Sequence, residues 1–277
     1  MKEIDIRKIF KNKNPKVAKM IPNFIFKYIE RIIHQKDINN GIPVYGDKMG
    51  LDFIKAVLDF FQVKIQVNGI ENIPENGRFI FASNHPLGGL DGLVFAHVVA
   101  QKFSNIHFLV NDLLMNLENL DSIFIPVNKH GKQSIEYARK IENAYLSDAQ
   151  ILNFPAGLCS RKINGKIIDL EWKKNFVKKS IQHKRNIIPV HIDGCNSNFF
   201  YNLSNFRTRL GVKTNIEMFY LVDEMFKQKN KKITVSFGKE IDYKYFDKSI
   251  KPQDWASKIK DHIYKLPKDQ KIEFNLN

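Results

Sequence analysis

At 277 residues, 43% hydrophobic and 26% charged, the chain has the material for one large domain with a core, which excludes a disordered or low-complexity polypeptide. No apolar run approaches the ~18 residues needed to cross a bilayer, so a transmembrane helix is excluded. Lys and Arg number 44 against 29 Asp and Glu, a formal charge of +15 that suits anionic membranes, nucleic acids or acidic proteins.

The N-terminus is basic and ends at a helix boundary, Ile21-Pro22. Ile21, Phe24, Ile25, Tyr28, Ile29, Ile32 and Ile33 then share one helix face, which either packs on the core or lies in a membrane interface. Asn39 to Pro43 reads as a loop. Leu51, Ile54, Val57, Leu58 and Phe61 mark a second helix, and Val63, Ile65 and Val67 a half-exposed strand. A turn over Glu71 to Gly77 leads to a buried strand, Phe79-Ile-Phe-Ala82. Further strands are expected at Ile106 to Val110, Ser122 to Asn128, Gln150 to Phe154, Asn186 to Asp193 and Ile233 to Phe237. Helices are expected over Leu90 to Lys102, up to about Leu146, over Trp172 to Gln182, Asn215 to Phe226 and Pro252 to Tyr264. The stretch Phe199-Phe200-Tyr201 and the basic run Arg161, Lys162, Lys166 carry no assigned element. The alternation predicts an α/β fold, a layered mixed sheet with flanking helices, preceded by an amphipathic helical segment. The division falls near residue 45: a basic amphipathic segment 1–45 and an α/β domain 46–277.

Charge follows this layout. Residues 129–185 hold 13 basic against 5 acidic residues, net +8, whereas residues 68–128 hold 2 against 6, net −4. Two cysteines, Cys159 and Cys195, offer neither metal spacing nor a disulfide framework. With no signal-peptide core at the N-terminus, a reducing cytosol is the expected compartment. Five histidines, His97, His107, His130, His183 and His191, read as packing or surface residues with no metal spacing.

The chemistry concentrates at Ser83-Asn-His-Pro-Leu-Gly-Gly-Leu-Asp91, where a strand ends at Pro86 and a Gly88-Gly89 loop opens a helix. His85 thus sits at the carboxyl end of a strand, where α/β sheets bind ligands, with Asp91 close enough to orient it as a general base. The plainer alternative is a loop histidine beside an Asp91 that caps the helix.

Four stretches in order resemble the glycerolipid acyltransferase superfamily. They are Asn84-His85 with Asp91; Ser122 to Asn128; Phe154-Pro155-Ala156-Gly157-Leu158-Cys159-Ser160; and Ile187-Ile188-Pro189-Val190. The wording of the first and third is most similar to the hemolysin-like branch associated with lyso-ornithine or related lyso-aminolipids. The resemblance implies acyl transfer from an acyl thioester, on acyl carrier protein or coenzyme A, to a lyso-lipid at the inner face of the cytoplasmic membrane, with no other cofactor and no metal. His85 and Asp91 take the catalytic roles. Asn84, Gly88, Gly89, Asn128, Lys129, Phe154, Pro155, Gly157, Ser160, Arg161 and Lys162 fall at substrate-binding positions. Three departures stand out. Five residues, Pro86 to Leu90, separate the His and Asp where the family commonly has four, and in a regular helix the extra residue would turn Asp91 away by ~100°. The motif's Glu is Ala156, and its Arg position holds Cys159, passing any phosphate contact to Arg161 or Lys162.

Backbone N–H groups of Gly88, Gly89 or Gly157 are candidate oxyanion donors. Cys159, beside basic residues, is a rival nucleophile. The basic segments, Lys173 to Arg185 and the N-terminus, suit an acidic acyl carrier protein or an anionic membrane surface. No nucleic-acid module is present, so no nucleic-acid partner is expected. Two competing readings are a lysophosphatidic acid acyltransferase and an inactive membrane- or carrier-binding module.

Overall fold

Apolar runs bounded by Pro, Gly and Asn become strands, and amphipathic segments between them become helices. The computed structural model describes residues 3–13, 15–111, 117–127 and 134–275. Helices α1 (Ile6–Lys13), α2 (Pro15–Met20), α3 (Asn23–Ile32), α4 (Gln35–Tyr45) and α5 (Gly50–Phe60) precede strand β1 (Lys64–Asn68). Then come β2 (Phe79–Ser83), α6 (Leu90–Ala100), β3 (Ile106–Val110), β4 (Phe124–Pro126), α7 (Ser134–Leu146) and β5 (Gln150–Asn153). A hairpin, β6 (Arg161–Ile163) and β7 (Lys166–Ile168), leads to α8 (Asn175–His183), β8 (Asn186–Ile192) and α9 (Asn198–Arg209). The chain closes with α10 (Leu221–Phe226), β9 (Lys232–Phe237) and α11 (Pro252–Ile263).

Among the described residues, seven strands form one sheet in the order β1-β9-β8-β2-β5-β3-β4. All neighbours run parallel except β8 and β9. The mixed sheet with helices on both faces is the expected α/β class. Alternation along β2 sends Phe79 and Phe81 to the core beneath α5 and α6, and Ile80 and Ala82 to the core beneath α7, α8 and α11. With Phe81 wholly buried, truncating its ring would cost about 3–5 kcal/mol. The carboxyl ends of β8, β2, β5, β3 and β4 therefore open on one common edge.

Several expectations need correction. Asn39 to Pro43 lies inside α4, Pro43 included. Here tertiary packing overrides local signals. The Tyr45 ring folds back over Gly41, where a Cβ would lie 2.4 Å from the ring, and its hydroxyl donates to the Ile38 carbonyl. The basic run at 161–166 is a hairpin turning on Asn164-Gly165, both at positive φ (49° and 79°). Asn-Gly is a strong hairpin signal, although neither flanking run is apolar enough to announce a strand. The Phe199 stretch is α9, capped by the Ser197 side chain, which accepts from Phe200 N–H. Trp172 precedes α8 rather than beginning it.

The apolar stripe on α3 also divides. Ile32 is buried, yet Phe24 is 67% exposed, while Phe26, off the stripe, packs edge-on against Phe10. The first helices rest on the α/β body through aromatic contacts. His34 stacks on Phe226 and bonds Asp223, and the Tyr28 hydroxyl meets that of Tyr220.

Candidate active site

The central strand β2 delivers Asn84 and His85 to the sheet's carboxyl edge. Asn84 is buried, and its amide is fully engaged with β8: Nδ2 donates to the Ile192 carbonyl at 2.9 Å and Oδ1 accepts from Ile192 N–H at 2.7 Å. It pins the His85 loop to the neighbouring strand rather than facing solvent.

Residues 86–89 form a loop and α6 begins at Leu90, so the extra residue is absorbed before the helix and Asp91 still reaches His85. Nδ1 of His85 lies 2.9 Å from Asp91 Oδ2. The same oxygen accepts from Leu87 N–H at 2.8 Å and Gly88 N–H at 3.3 Å, and Oδ1 accepts from Gly92 N–H at 3.0 Å. A carboxylate surrounded by donors stays ionised. Burial works against its charge, but His85 and these N–H groups outweigh burial and hold its pKa below the ordinary range. Because Asp91 only accepts, Nδ1 carries the proton and Nε2 keeps a lone pair. Burial alone would lower the His85 pKa; the Asp91 charge and hydrogen bond, with Asp169 beyond, outweigh it and raise the pKa above its ordinary value.

The motif around Phe154 encloses the imidazole. The Phe154 ring stacks on it with centroids 4.0 Å apart, and is itself backed by Phe95 and Phe108. Ser160 N–H donates to the His85 carbonyl at 2.7 Å, and Ser160 Oγ donates to Asp169 Oδ1. Asp169 also accepts from His85 N–H at 3.2 Å and from the Trp172 indole at 2.8 Å. This buried carboxylate lies 84 positions from His85, and no local sequence pattern marks it as part of the site.

Other expected residues meet different fates. The Gly157 N–H is held by the Phe154 carbonyl at 2.9 Å and the Gly88 N–H leans on Asp91, so neither is a free oxyanion donor. The exposed Gly89 N–H has no acceptor among the described residues. Arg161 is buried; its Nη2 donates to Glu217 at 2.8 Å and its Nη1 to the Cys159 carbonyl at 2.7 Å. Glu217, wholly buried, also binds Arg207. Arg161 is thus engaged within the protein, where the sequence placed it at a phosphate. Lys162 reaches Asn198 at 3.1 Å on the hairpin's outer side. Pro155 forms the turn above α8, its carbonyl accepting from Lys173 N–H at 3.0 Å. Asn128 and Lys129 lie outside the described residues.

Cys159 is 1% exposed, and burial outweighs Arg161 to push its thiol up to about 11. It is a thiol at neutral pH, so the expectation that basic neighbours would activate it does not hold. Arg185 likewise leaves the basic surface. It is fully buried among the carbonyls of Tyr145, Ala149 and Ser147.

What remains is an oriented imidazole at the edge of an α/β sheet, with no activated nucleophile beside it among the described residues. The chain belongs to the glycerolipid acyltransferase superfamily. The family model described as Acyltransferase matches residues 8–265. The chain is 50% identical over 264 residues to a lyso-glycine lipid O-acyltransferase of Bacteroides thetaiotaomicron, covering 95% of this chain and 97% of that one. It is 47% identical over 264 residues to a lyso-glycine lipid O-acyltransferase of Phocaeicola vulgatus, covering 95% of each. A 1-acyl-sn-glycerol-3-phosphate acyltransferase of Borreliella burgdorferi is 27% identical over 173 residues, 61% of this chain and 66% of that one. The protein is an acyltransferase.

Proposed function

We propose that the protein acylates the hydroxyl of a lyso-aminolipid, with a glycine headgroup in preference to ornithine, using an acyl thioester donor and His85 as general base. The carrying observation is the 2.9 Å bond from His85 Nδ1 to buried Asp91, which leaves Nε2 to take a proton. Nε2 removes the hydroxyl proton as the oxygen attacks the thioester carbonyl. The tetrahedral oxyanion collapses, the C–S bond breaks, and the imidazolium returns its proton to the departing thiolate. Asp91 fixes the ring and stabilises the imidazolium. Gly89 N–H is the remaining candidate for the oxyanion.

Two matters favour an aminolipid over lysophosphatidic acid. The relatives at 50% and 47% identity carry lyso-glycine lipid in their names, against 27% for the glycerophosphate relative. The arginine nearest the phosphate-binding motif is held by Glu217.

A lipid acceptor calls for a lipid surface, and we assign one to the face shared by α3, α9 and residues 216–220. Phe24, Phe206, Leu210 and Phe219 are 61–67% exposed there. The Tyr28–Tyr220 contact and the Phe199–Tyr220 ring contact at 4.9 Å join these elements. Exposed Lys19, Lys27, Arg209 and Lys213 lie on the same elements or just beyond them, as expected for adsorption to an anionic bilayer such as the inner face of the cytoplasmic membrane. Among the described residues no helix is long and apolar enough to cross a membrane. Leu221, at the end of this face, lies against the catalytic loop: a Cβ on Gly88 would meet it at 2.7 Å.

The test is acyl transfer by purified protein, wild type beside His85→Ala, with lyso-glycine lipid, lyso-ornithine lipid and lysophosphatidic acid offered in parallel. Transfer to the glycine lipid that disappears in the variant is expected. Transfer to lysophosphatidic acid alone would overturn the acceptor, and transfer surviving the substitution would overturn the base.

A further inference from the structure

The sheet order places two different surfaces on either side of His85. Strand β2 lies between β8 and β5. On the β8 side, α9 and the segment after it carry the exposed aromatic face. On the other side, over the carboxyl ends of β5, β3 and β4, a groove of about 420 Å³ runs beside α8. Leu109, Val110, Val127 and Phe154 contribute apolar surface to it, and Lys173 and Lys178 border it. Phe154 is the ring stacked on His85, so a single aromatic ring separates the groove from the imidazole.

Lys179, also at the groove, is neutralised by Glu142. Lys173 and Lys178 are exposed and have no carboxylate partner among the described residues. Lys173 is held in place nonetheless. Its N–H donates to the Pro155 carbonyl at 3.0 Å, and its ammonium lies over Gly157, where a Cβ would sit 2.7 Å from Nζ. Gly157 has φ +69°, so the motif turn both needs glycine and leaves this space for the ammonium. An apolar channel with two unneutralised ammonium groups suits a ligand with an apolar tail and an anionic group.

We infer that this groove is the donor port, receiving the acyl-phosphopantetheine arm of an acyl carrier protein, with Lys173 and Lys178 engaging its phosphodiester and the acidic carrier around it. This rests on the acyl-transfer reading and adds an order to it: the donor reaches His85 over β5 while the acceptor arrives from the membrane beside β8. Neither substrate then has to pass the other.

The experiment compares wild type with the double variant Lys173→Gln/Lys178→Gln, using acyl carrier protein, acyl-coenzyme A and an acyl-pantetheine thioester that lacks phosphate. Replacing two exposed ammonium groups with neutral amides should raise KM for the acyl carrier protein about tenfold at low salt, and less as salt screens the wild type. The smaller acyl-coenzyme A should weaken less, the phosphate-free donor least, and the acceptor KM should hold. Equal weakening of all three donors, a rise in the acceptor KM instead, or an unchanged carrier KM would each overturn the assignment. Both lysines are exposed, and equal melting temperatures establish that the variant is folded. Carrier binding is also read directly by calorimetry, without turnover. A protein that binds the carrier through these lysines yet acylates none of the acceptors would refute the acceptor reading alone. Carrier bound equally by both forms would refute the port.

Discussion

At the scale of single residues, the proposed general base His85, paired with Asp91, should set the pH response. The base works only when neutral and its pKa is raised, so kcat/KM should fall as pH drops through a value above the ordinary 6.5 of histidine. Asp91→Asn removes the charge that raises it. The acid limb should move to lower pH while turnover drops by about 10²–10⁴. A pH–rate profile of the two proteins checks both effects, and an unmoved limb would show that Asp91 does not govern the ring. His85 and Asp91 were legible in the sequence because their motif is local. Asp169 and Glu217 were not, since each acts through partners brought together only by the fold. Glu217 joins Arg161 and Arg207 beneath the site. Glu217→Gln would leave two cations facing a neutral amide, and about 3 kcal/mol of stability should disappear, measured by urea unfolding.

Among the elements, strands and their order of appearance were readable from apolar runs and turn residues, and the stretches around His85 and Phe154 meet at the sheet's carboxyl edge. Elements set by single residues were missed. Asn164-Gly165 makes the β6–β7 hairpin, and Ser197 starts α9; both signals are present in the chain but short. α4 is different in kind, because Gly41 and Pro43 oppose a helix locally and only the Tyr45 packing explains it. The loop glycines carry a related consequence. Gly88 has φ +81° and a Cβ there would meet Leu221 at 2.7 Å, so Gly88→Ala should displace the loop. Since Asp91 takes a bond from this residue's N–H, kcat should fall more than acceptor KM rises, as steady-state kinetics would reveal.

For the whole molecule, the basic charge read from composition resolves into distinct uses. Arg185 and Arg161 are internal, Lys179 is paired, and Lys173 and Lys178, without a carboxylate partner among the described residues, border the groove. Composition cannot separate these, because burial depends on packing. Histidines give the molecule an acid limit. Burial lowers His191 and His262 to about 4, so they are neutral in the fold and protonated when unfolded below 6.5. Their contribution is complete above pH 6.5 and is lost as pH falls towards 4, and denaturant stability should decline across that window. His85, with its raised pKa, acts oppositely: its contribution is complete below 6.5 and lost as pH rises through the folded value. A flat profile between pH 7 and 4 would mean these rings are solvated.

The Asn84 amide gives the site a lifetime. It exchanges hydrogen bonds with both backbone groups of Ile192, and the His85 N–H and carbonyl are bonded to Asp169 and Ser160. His85 is thus fastened to the middle of the sheet, where amides are expected to open only with the whole domain. In deuterated water, the Ile192 and His85 amides should be among the slowest to exchange, far slower than those of the exposed α9 face. Heat or denaturant should then abolish turnover at the same midpoint as the fold, with no earlier stage in which a folded protein carries a disordered base.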